Sequence, residues 1–286
     1  MDIVSIGRPG NEEPIQVGPG HPFLLIGGPC VLESEELARE VAAVLKEIAA
    51  RLSISFVFKS SFDKANRTSL DSYRGPGMAE GLDILAGIRQ DFNVPVISDI
   101  HETQQVEAAS AVLDVLQIPA FLCRQTDLLV AAARSRKAIN LKKGQFVAPW
   151  DMANAVNKIR ASGNKNLMLC ERGFVLGYNN LVVDMRALPV MRSLGCPIIF
   201  DATHSVQLPG GAGTSSGGQR EFIPPLTRAA VAAGLDGIFM EVHPRPENAL
   251  CDGPNSMPLD SVESLLKTLL KIHAVVSEES SLYNKT

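Results

Sequence analysis

The chain lacks a charge excess that would suggest a polyanionic partner. Its 27 Lys and Arg stand against 31 Asp and Glu, for a net charge of −4. No global basic field is available to draw it to nucleic acid or to a membrane surface. Any anionic ligand would need a local cluster of positive charge. Cysteine is sparse: Cys30, Cys123, Cys170, Cys196 and Cys251 are an odd number with no CxxC. That argues against a disulfide framework and for a reducing compartment. No run of about 18 apolar residues occurs, so no membrane span is expected. The opening residues, MDIVSIGRPGNEEPIQVG, lack the basic start and apolar run of a signal peptide. A cytoplasmic enzyme is the expectation. Neither an internal repeat nor an interdomain linker is evident.

The 286 residues are 45% hydrophobic, enough for a sizeable core. Short β-rich runs alternate with longer helical patterns. The runs are 23–28, 53–59, 94–100, 115–120, 138–142, 166–170, 197–201 and 237–242. Stretches such as FLLIGG, VPVIS, PIIF and GIFM are apolar along most of their length, as expected for parallel strands buried on both faces. Between most of them lie segments with apolar residues at three- and four-residue spacing. The first follows Ser34, an N-cap candidate with Glu35 and Glu36 in the first turn. Eight strands, each followed by a helix or a long loop, predict an α/β chain folded as a (β/α)8 TIM barrel, which takes about 250 residues. A doubly wound open sheet is the alternative. IVSIG and PIQVG flank a Pro/Gly/Asn turn and predict an N-terminal β-hairpin at the barrel floor. The expected organisation is one domain over 1–286: a hairpin at about 3–18, a barrel over about 22–276 and a polar C-terminal tail.

In such a barrel the C-terminal ends of the strands carry the chemistry. Those ends read Cys30, Lys59, Asp99, Gln117, Lys142, Arg172, His204 and Glu241. The FKSSFDKANRTS stretch adds Lys64 and Arg67 with polar donors between them. Cations that follow apolar strands are costly unless an anion pairs with them, so they suggest a phosphate or carboxylate pocket; ordinary surface charge is the competing reading. Cys30, His204 and Glu241 end strands that ring closure makes neighbours, and Asp252 follows the eighth. One Cys, one His and two carboxylates suit a borderline divalent ion. The residues alone leave other roles open. Cys30 reads equally as a small core residue, His204 as a general acid or base, Asp252 as a turn residue, and Cys251 as a rival ligand. The Gly-rich segment 209–220 matches no P-loop or dinucleotide pattern and reads as a mobile lid. RGPG at 74–77 reads as a turn, and Cys170 and Cys196 read as core.

The motifs FKSSFDKANRTSLDSYRGPG, DIHE, LQIPAFLCRQTDLL, NLKKGQF, CERG, DATHSVQLPG and MEVHP…CDGPN resemble the 3-deoxy-D-manno-octulosonate 8-phosphate synthases, also named 2-dehydro-3-deoxyphosphooctonate aldolases. The likeness runs from about residue 15 to 275. It implies a (β/α)8 barrel with an N-terminal hairpin, usually a homotetramer, and a transferase joining phosphoenolpyruvate to D-arabinose 5-phosphate for lipopolysaccharide biosynthesis. Carried over, Lys59, Lys64, Lys142 and Arg172 would hold the phosphate and carboxylate of phosphoenolpyruvate. Ser61, Asp99, Gln117, Gln145 and Gln207 would line the pocket. Asn66, Arg67 and Thr68 would grip the aldose phosphate with help from a neighbouring subunit. Lys142, His204, Asp252 and Cys30 would carry the catalysis. The family has two branches. One needs a divalent metal and has Cys at the position of Cys30; the other has Asn there and works without metal. GGPC resembles the first, with manganese, iron, zinc or cobalt held by Cys30, His204, Glu241 and Asp252. KANRTS argues against the sister heptulosonate-phosphate synthases, which use erythrose 4-phosphate and carry Lys-Pro-Arg-Thr-Ser there. A non-catalytic sugar-phosphate-binding barrel is the reading from a different class.

Overall fold

The computed structural model describes residues 1–10, 12–211 and 216–283, with side chains through 278. All eight predicted runs are strands of one parallel sheet: Leu24–Gly28, Ser55–Lys59, Val96–Asp99, Val115–Ile118, Ala138–Lys142, Leu167–Glu171, Ile198–Asp201 and Gly237–His243. Each pairs with the next. The eighth also pairs with the first, from Gly237↔Leu24 to Glu241↔Gly28, and so closes the ring. The protein is a (β/α)8 barrel, not a doubly wound sheet.

Successive side chains of a strand point to opposite faces, and here both faces are covered. Leu24 and Ile26 point inward with Val57, Ile97, Val115, Met168, Ile199 and Phe239. Leu25, Phe58, Leu116, Leu169 and Phe200 point outward against the helices. That double burial is why the strands read as continuous apolar runs.

The N-terminal hairpin pairs Val4–Ile6 with Ile15–Val17. Val4, Ile6 and Val17 are fully buried in the same cluster as the inward-facing strand residues. Ser5 N donates to Asn166 Oδ1, and Asp2 N donates to the Gly195 carbonyl. Both acceptors lie just before barrel strands. The hairpin therefore plugs the N-terminal floor, as the sequence predicts.

Among the described residues, eight α-helices surround the sheet: α1 (Glu35–Arg51), α2 (Met78–Asp91), α3 (Gln105–Val112), α4 (Thr126–Arg134), α5 (Met152–Ala161), α6 (Ala187–Arg192), α7 (Ile223–Ala232) and α8 (Val262–Tyr283). Ser34 caps α1 by accepting from Leu37 N at 3.2 Å. Three elements depart from the sequence reading. First, α2 lies where no helix was singled out, because Gly81 and Gly87 interrupt its helical pattern. Gly81 is required by packing: a Cβ there would sit 2.4 Å from Phe62 Cβ. Second, α6 is shorter than its apolar pattern, since Phe174–Val175 and Leu181–Val182 pair as a small hairpin before it. Third, α8 continues through the polar stretch after residue 276 to Tyr283, so most of the expected tail is helical. Residues 284–286 lie outside the described residues.

Candidate active site

A cavity of about 450 Å³ opens at the C-terminal ends of the strands. Lys59, Lys64, Asn66, Arg67, Thr68, Asp99, Gln117, Lys142, Gln145, Arg172, His204, Gln207 and Asp252 all line it. Residues from seven of the eight strand ends or the loops after them thus meet in one place. Ser61 lies beneath, its Oγ donating to Asp99 Oδ2 at 2.5 Å.

The cations are held in position by buried carboxylates. Lys59 Nζ donates to the Cys30 carbonyl at 3.0 Å and to Glu241 Oε1 at 3.1 Å. Lys64 Nζ reaches the same Glu241 oxygen at 3.5 Å. Lys142 Nζ lies 2.5 Å from Asp201 Oδ2 and 3.7 Å from the centre of the Phe239 ring. Burial works against the Lys142 charge, but Asp201 more than offsets it and raises the ammonium pKa. Asp99 is opposed by burial too, yet Lys59, Lys64 and Lys142 hold it below the usual carboxylate range. Behind it runs a polar chain: Asn140 Nδ2 donates to Gln117 Oε1, and Gln117 Nε2 donates to Asp99 Oδ1. Arg172 is buried and donates through Nη2 to Gln207, while its Nη1 has no hydrogen-bond partner among the described residues.

The close approach of the first two strands depends on Gly28. A Cβ there would lie 2.0 Å from the Lys59 carbonyl oxygen, so the glycine ahead of Pro29 and Cys30 lets these ends come together.

The second half of the site is a cluster of metal-ligand types. Asp201 Oδ2 accepts from His204 Nδ1 at 2.7 Å. This turns His204 Nε2 toward Glu241 Oε1 and Asp252 Oδ2, each 3.5 Å away. Cys30 Sγ lies 3.4 Å from Asp252 Oδ2. The donor atoms of His204, Glu241 and Asp252 lie within 4.8 Å of one another, as do those of Cys30, Cys251 and Asp252. The two groups share Asp252, which links Cys30 to His204 and Glu241, and Cys251 enters the second group with its sulfur 2.9 Å from that of Cys30. Glu241 Oε2 is buried without a hydrogen-bond partner among the described residues, and Asp252 adopts a left-handed backbone at φ 51°. A soft sulfur, an imidazole nitrogen oriented by a carboxylate, and an orphaned carboxylate oxygen fit a borderline divalent ion. Burial, and then Cys251, push the Cys30 thiol pKa up.

Arg67 turns to this cluster, with Nη1 on Cys251 Sγ at 2.9 Å and Nη2 on the Leu250 carbonyl. His101 lines the cavity, and burial lowers its pKa. His243 lies outside it, 3.6 Å from Glu33. Cys170 and Cys196 are buried as expected, and burial drives the Cys196 thiol up to about 11. RGPG is an irregular segment with a bend at Pro76, not a hydrogen-bonded turn: the Arg74 carbonyl accepts from Lys64 N and Gly77 N donates to the Phe62 carbonyl, while Gly75 and Gly77 take positive φ. The Gly-rich segment contributes Pro209, Gly210 and Ser216 to the rim. The centre of the expected lid, 212–215, lies outside the described residues.

Two buried acids at the site are not among the sequence-based candidates: Asp201, the last residue of the seventh strand, and Glu171, the last of the sixth, which stand just before His204 and Arg172. An acid closing an apolar run, in IIFD and LMLCE, is the signal that identifies them. Glu171 lies 3.6 Å from the buried Lys143 and accepts from Arg172 N and Gly173 N. Lys143 therefore braces the loops around the cavity, while Lys142 lines it.

The model of the DAHP synthetase I family matches residues 7–278. The chain belongs to this family. Within it, the chain is similar to proteins named 2-dehydro-3-deoxyphosphooctonate aldolase. The protein of that name from Desulfotalea psychrophila is 66% identical over 275 residues, covering 96% of this chain and 98% of the relative. That from Syntrophotalea carbinolica is 62% identical over 262 residues, covering 92% and 95%. A Geobacter relative is 63% identical over 264 residues, covering 92% and 97%. The likeness therefore extends over nearly the whole of this chain.

Proposed function

We propose that the chain condenses phosphoenolpyruvate with D-arabinose 5-phosphate and water, giving 3-deoxy-D-manno-octulosonate 8-phosphate and phosphate for lipopolysaccharide biosynthesis in the cytoplasm. The observation that supports this reading is the convergence of four cations with His204 and Asp252 on one cavity, with Glu241 and Cys30 in contact with these two from outside its lining. Lys59, Lys64, Lys142 and Arg172 hold the phosphate and carboxylate of phosphoenolpyruvate. Ser61, Asp99, Gln117, Gln145 and Gln207 shape the pocket. Asn66, Arg67 and Thr68 take the aldose phosphate, with Arg67 leaving the Cys251 loop to do so.

In the reaction, C3 of phosphoenolpyruvate attacks the aldehyde carbon and water adds at C2. The hemiketal phosphate so formed expels phosphate by C–O cleavage. The cations fix both anions so that the reacting carbons meet in one orientation, which removes much of the entropic barrier. Asp201 keeps Lys142 and His204 in place throughout. Cys30, His204, Glu241 and Asp252 are the residues to hold a divalent ion (manganese, iron, zinc or cobalt). Such an ion supplies Lewis-acid polarisation and orientation of an oxygen ligand.

Support for a homotetramer with a shared site comes from an apolar rim beside the cavity. Phe121, Phe146, Trp150 and Phe174 are exposed on the loops after the fourth, fifth and sixth strands. Val175 N donates to the Gln145 carbonyl, tying two of these loops together. The described helices include none long and apolar enough to cross a membrane.

The deciding experiment is phosphate release on mixing the two substrates, with and without dipicolinate or EDTA. Release is expected to stop on chelation and to return with manganese or cobalt. Full activity in metal-stripped enzyme would sink the metal assignment. Because the family model bears the name of the sister reaction, erythrose 4-phosphate is the control, and preferential turnover of it would overturn the substrate assignment.

A further inference from the structure

Gln207 stands between the two halves of the site. Its Oε1 accepts from Arg172 Nη2 at 3.0 Å, and its Nε2 donates to Asp252 Oδ1 at 3.1 Å. A flipped amide would set its carbonyl against a carboxylate and its NH2 against a guanidinium, losing both bonds. The flanking charges therefore fix its orientation. The contact occupies Asp252 Oδ1 and leaves Oδ2 facing His204 Nε2 and Cys30 Sγ. At the other end, Arg172 Nη1 is buried without a hydrogen-bond partner among the described residues, free to bind an anion.

We propose that Gln207 is a positioning residue that couples the anion pocket to the metal-donor cluster, so that an anion on Arg172 raises the affinity for a divalent cation at Asp252, and the reverse. This rests on the functional reading above. An anion on Nη1 clamps the guanidinium, the guanidinium holds the amide, and the amide holds the carboxylate oxygen that faces the donors. Order produced by the first ligand is not lost again when the second binds. Asp252 has much to gain from being held, since its left-handed backbone is unfavourable for a non-glycine residue. Glu241 works in the same direction. Its Oε1 pairs with Lys59 and Lys64, so a cation on Glu241 loosens these lysines for an anion. By linkage the two affinities must change by the same factor.

The test is equilibrium competition for manganese between the protein and a chromophoric chelator, with and without saturating phosphoenolpyruvate and with no aldose present. In the wild type, phosphoenolpyruvate is expected to tighten manganese binding by roughly tenfold, within the range usual for coupled sites. In Gln207→Leu the ratio should fall toward one while each ligand still binds alone. Gln207→Met keeps the length without the amide and is read in the same way if the leucine variant does not fold. A wild-type ratio of one, or an unchanged ratio in the variant, overturns the proposal. Phosphate release measured on the same preparation separates the two readings: release with a ratio of one defeats only the coupling, whereas absence of release defeats the reaction.

Discussion

Asp201 accepts from five donors: Lys142 Nζ, His204 Nδ1, His204 N, Thr203 N and Thr203 Oγ1. It is fully buried, and burial alone would favour its neutral form. His204 and Lys142 outweigh that and hold its carboxyl well below the usual range. One side chain thus sets both a pocket cation and the imidazole nitrogen that faces the donor cluster. Asp201→Asn keeps the volume but cannot accept from both Lys142 and His204 through charged oxygens. We expect turnover and metal affinity to fall by roughly 10- to 100-fold, as for other groups that orient a metal-binding histidine. Steady-state kinetics and chelator competition measure the two losses. Wild-type values for both would remove Asp201 from the site's machinery. The sequence states that Asp201 ends a strand, but not that it supports two partners from different strands, because Lys142 is 59 positions away.

At the scale of elements, the strands were legible because double burial writes itself into the sequence as unbroken apolar runs. Helices with regular apolar spacing were equally plain. Helix α2 was not, because its glycines answer to Phe62, a neighbour visible only in three dimensions. The hairpin was legible as two short strands about a turn, and its role at the floor follows from closure of the ring. Val4, Ile6 and Val17 complete the interior cluster from below. Ile6→Ala should therefore cost about 2–5 kcal/mol by leaving a void in a rigid interior, read from urea unfolding midpoints. A loss under 0.5 kcal/mol would mean that the hairpin is not part of the barrel core.

At the scale of the molecule, the apolar rim is the feature that an isolated chain leaves unexplained. Trp150 is 64% exposed and Phe121 52%, and Phe121 also lines the cavity. Burying such a rim against a second copy would bring neighbouring side chains to the aldose end of the site. Trp150→Asp paired with Phe121→Asp is expected to shift the sedimentation coefficient toward a smaller species. It should also raise the KM for arabinose 5-phosphate more than that for phosphoenolpyruvate. A wild-type chain that already sediments as a monomer, or a sedimentation coefficient unchanged in the variant, would overturn the shared site proposed at this rim.

The eight strands, the Ser34 cap and acidic first turn of α1, the floor hairpin and the residue types at the strand ends are determined by the chain alone, since each is a periodic or local property. The partners of those residues were decided by the tertiary structure. Closing the ring sets the eighth strand against the first, and this brings Glu241 to Lys59 across 182 positions. It also determines that Asp201 serves two partners, that Gln207 bridges two charges, and that Arg67 rests on Cys251. Hydrogen bonds and ion pairs act over a few ångströms, and only the fold makes such distances out of residues far apart in the chain.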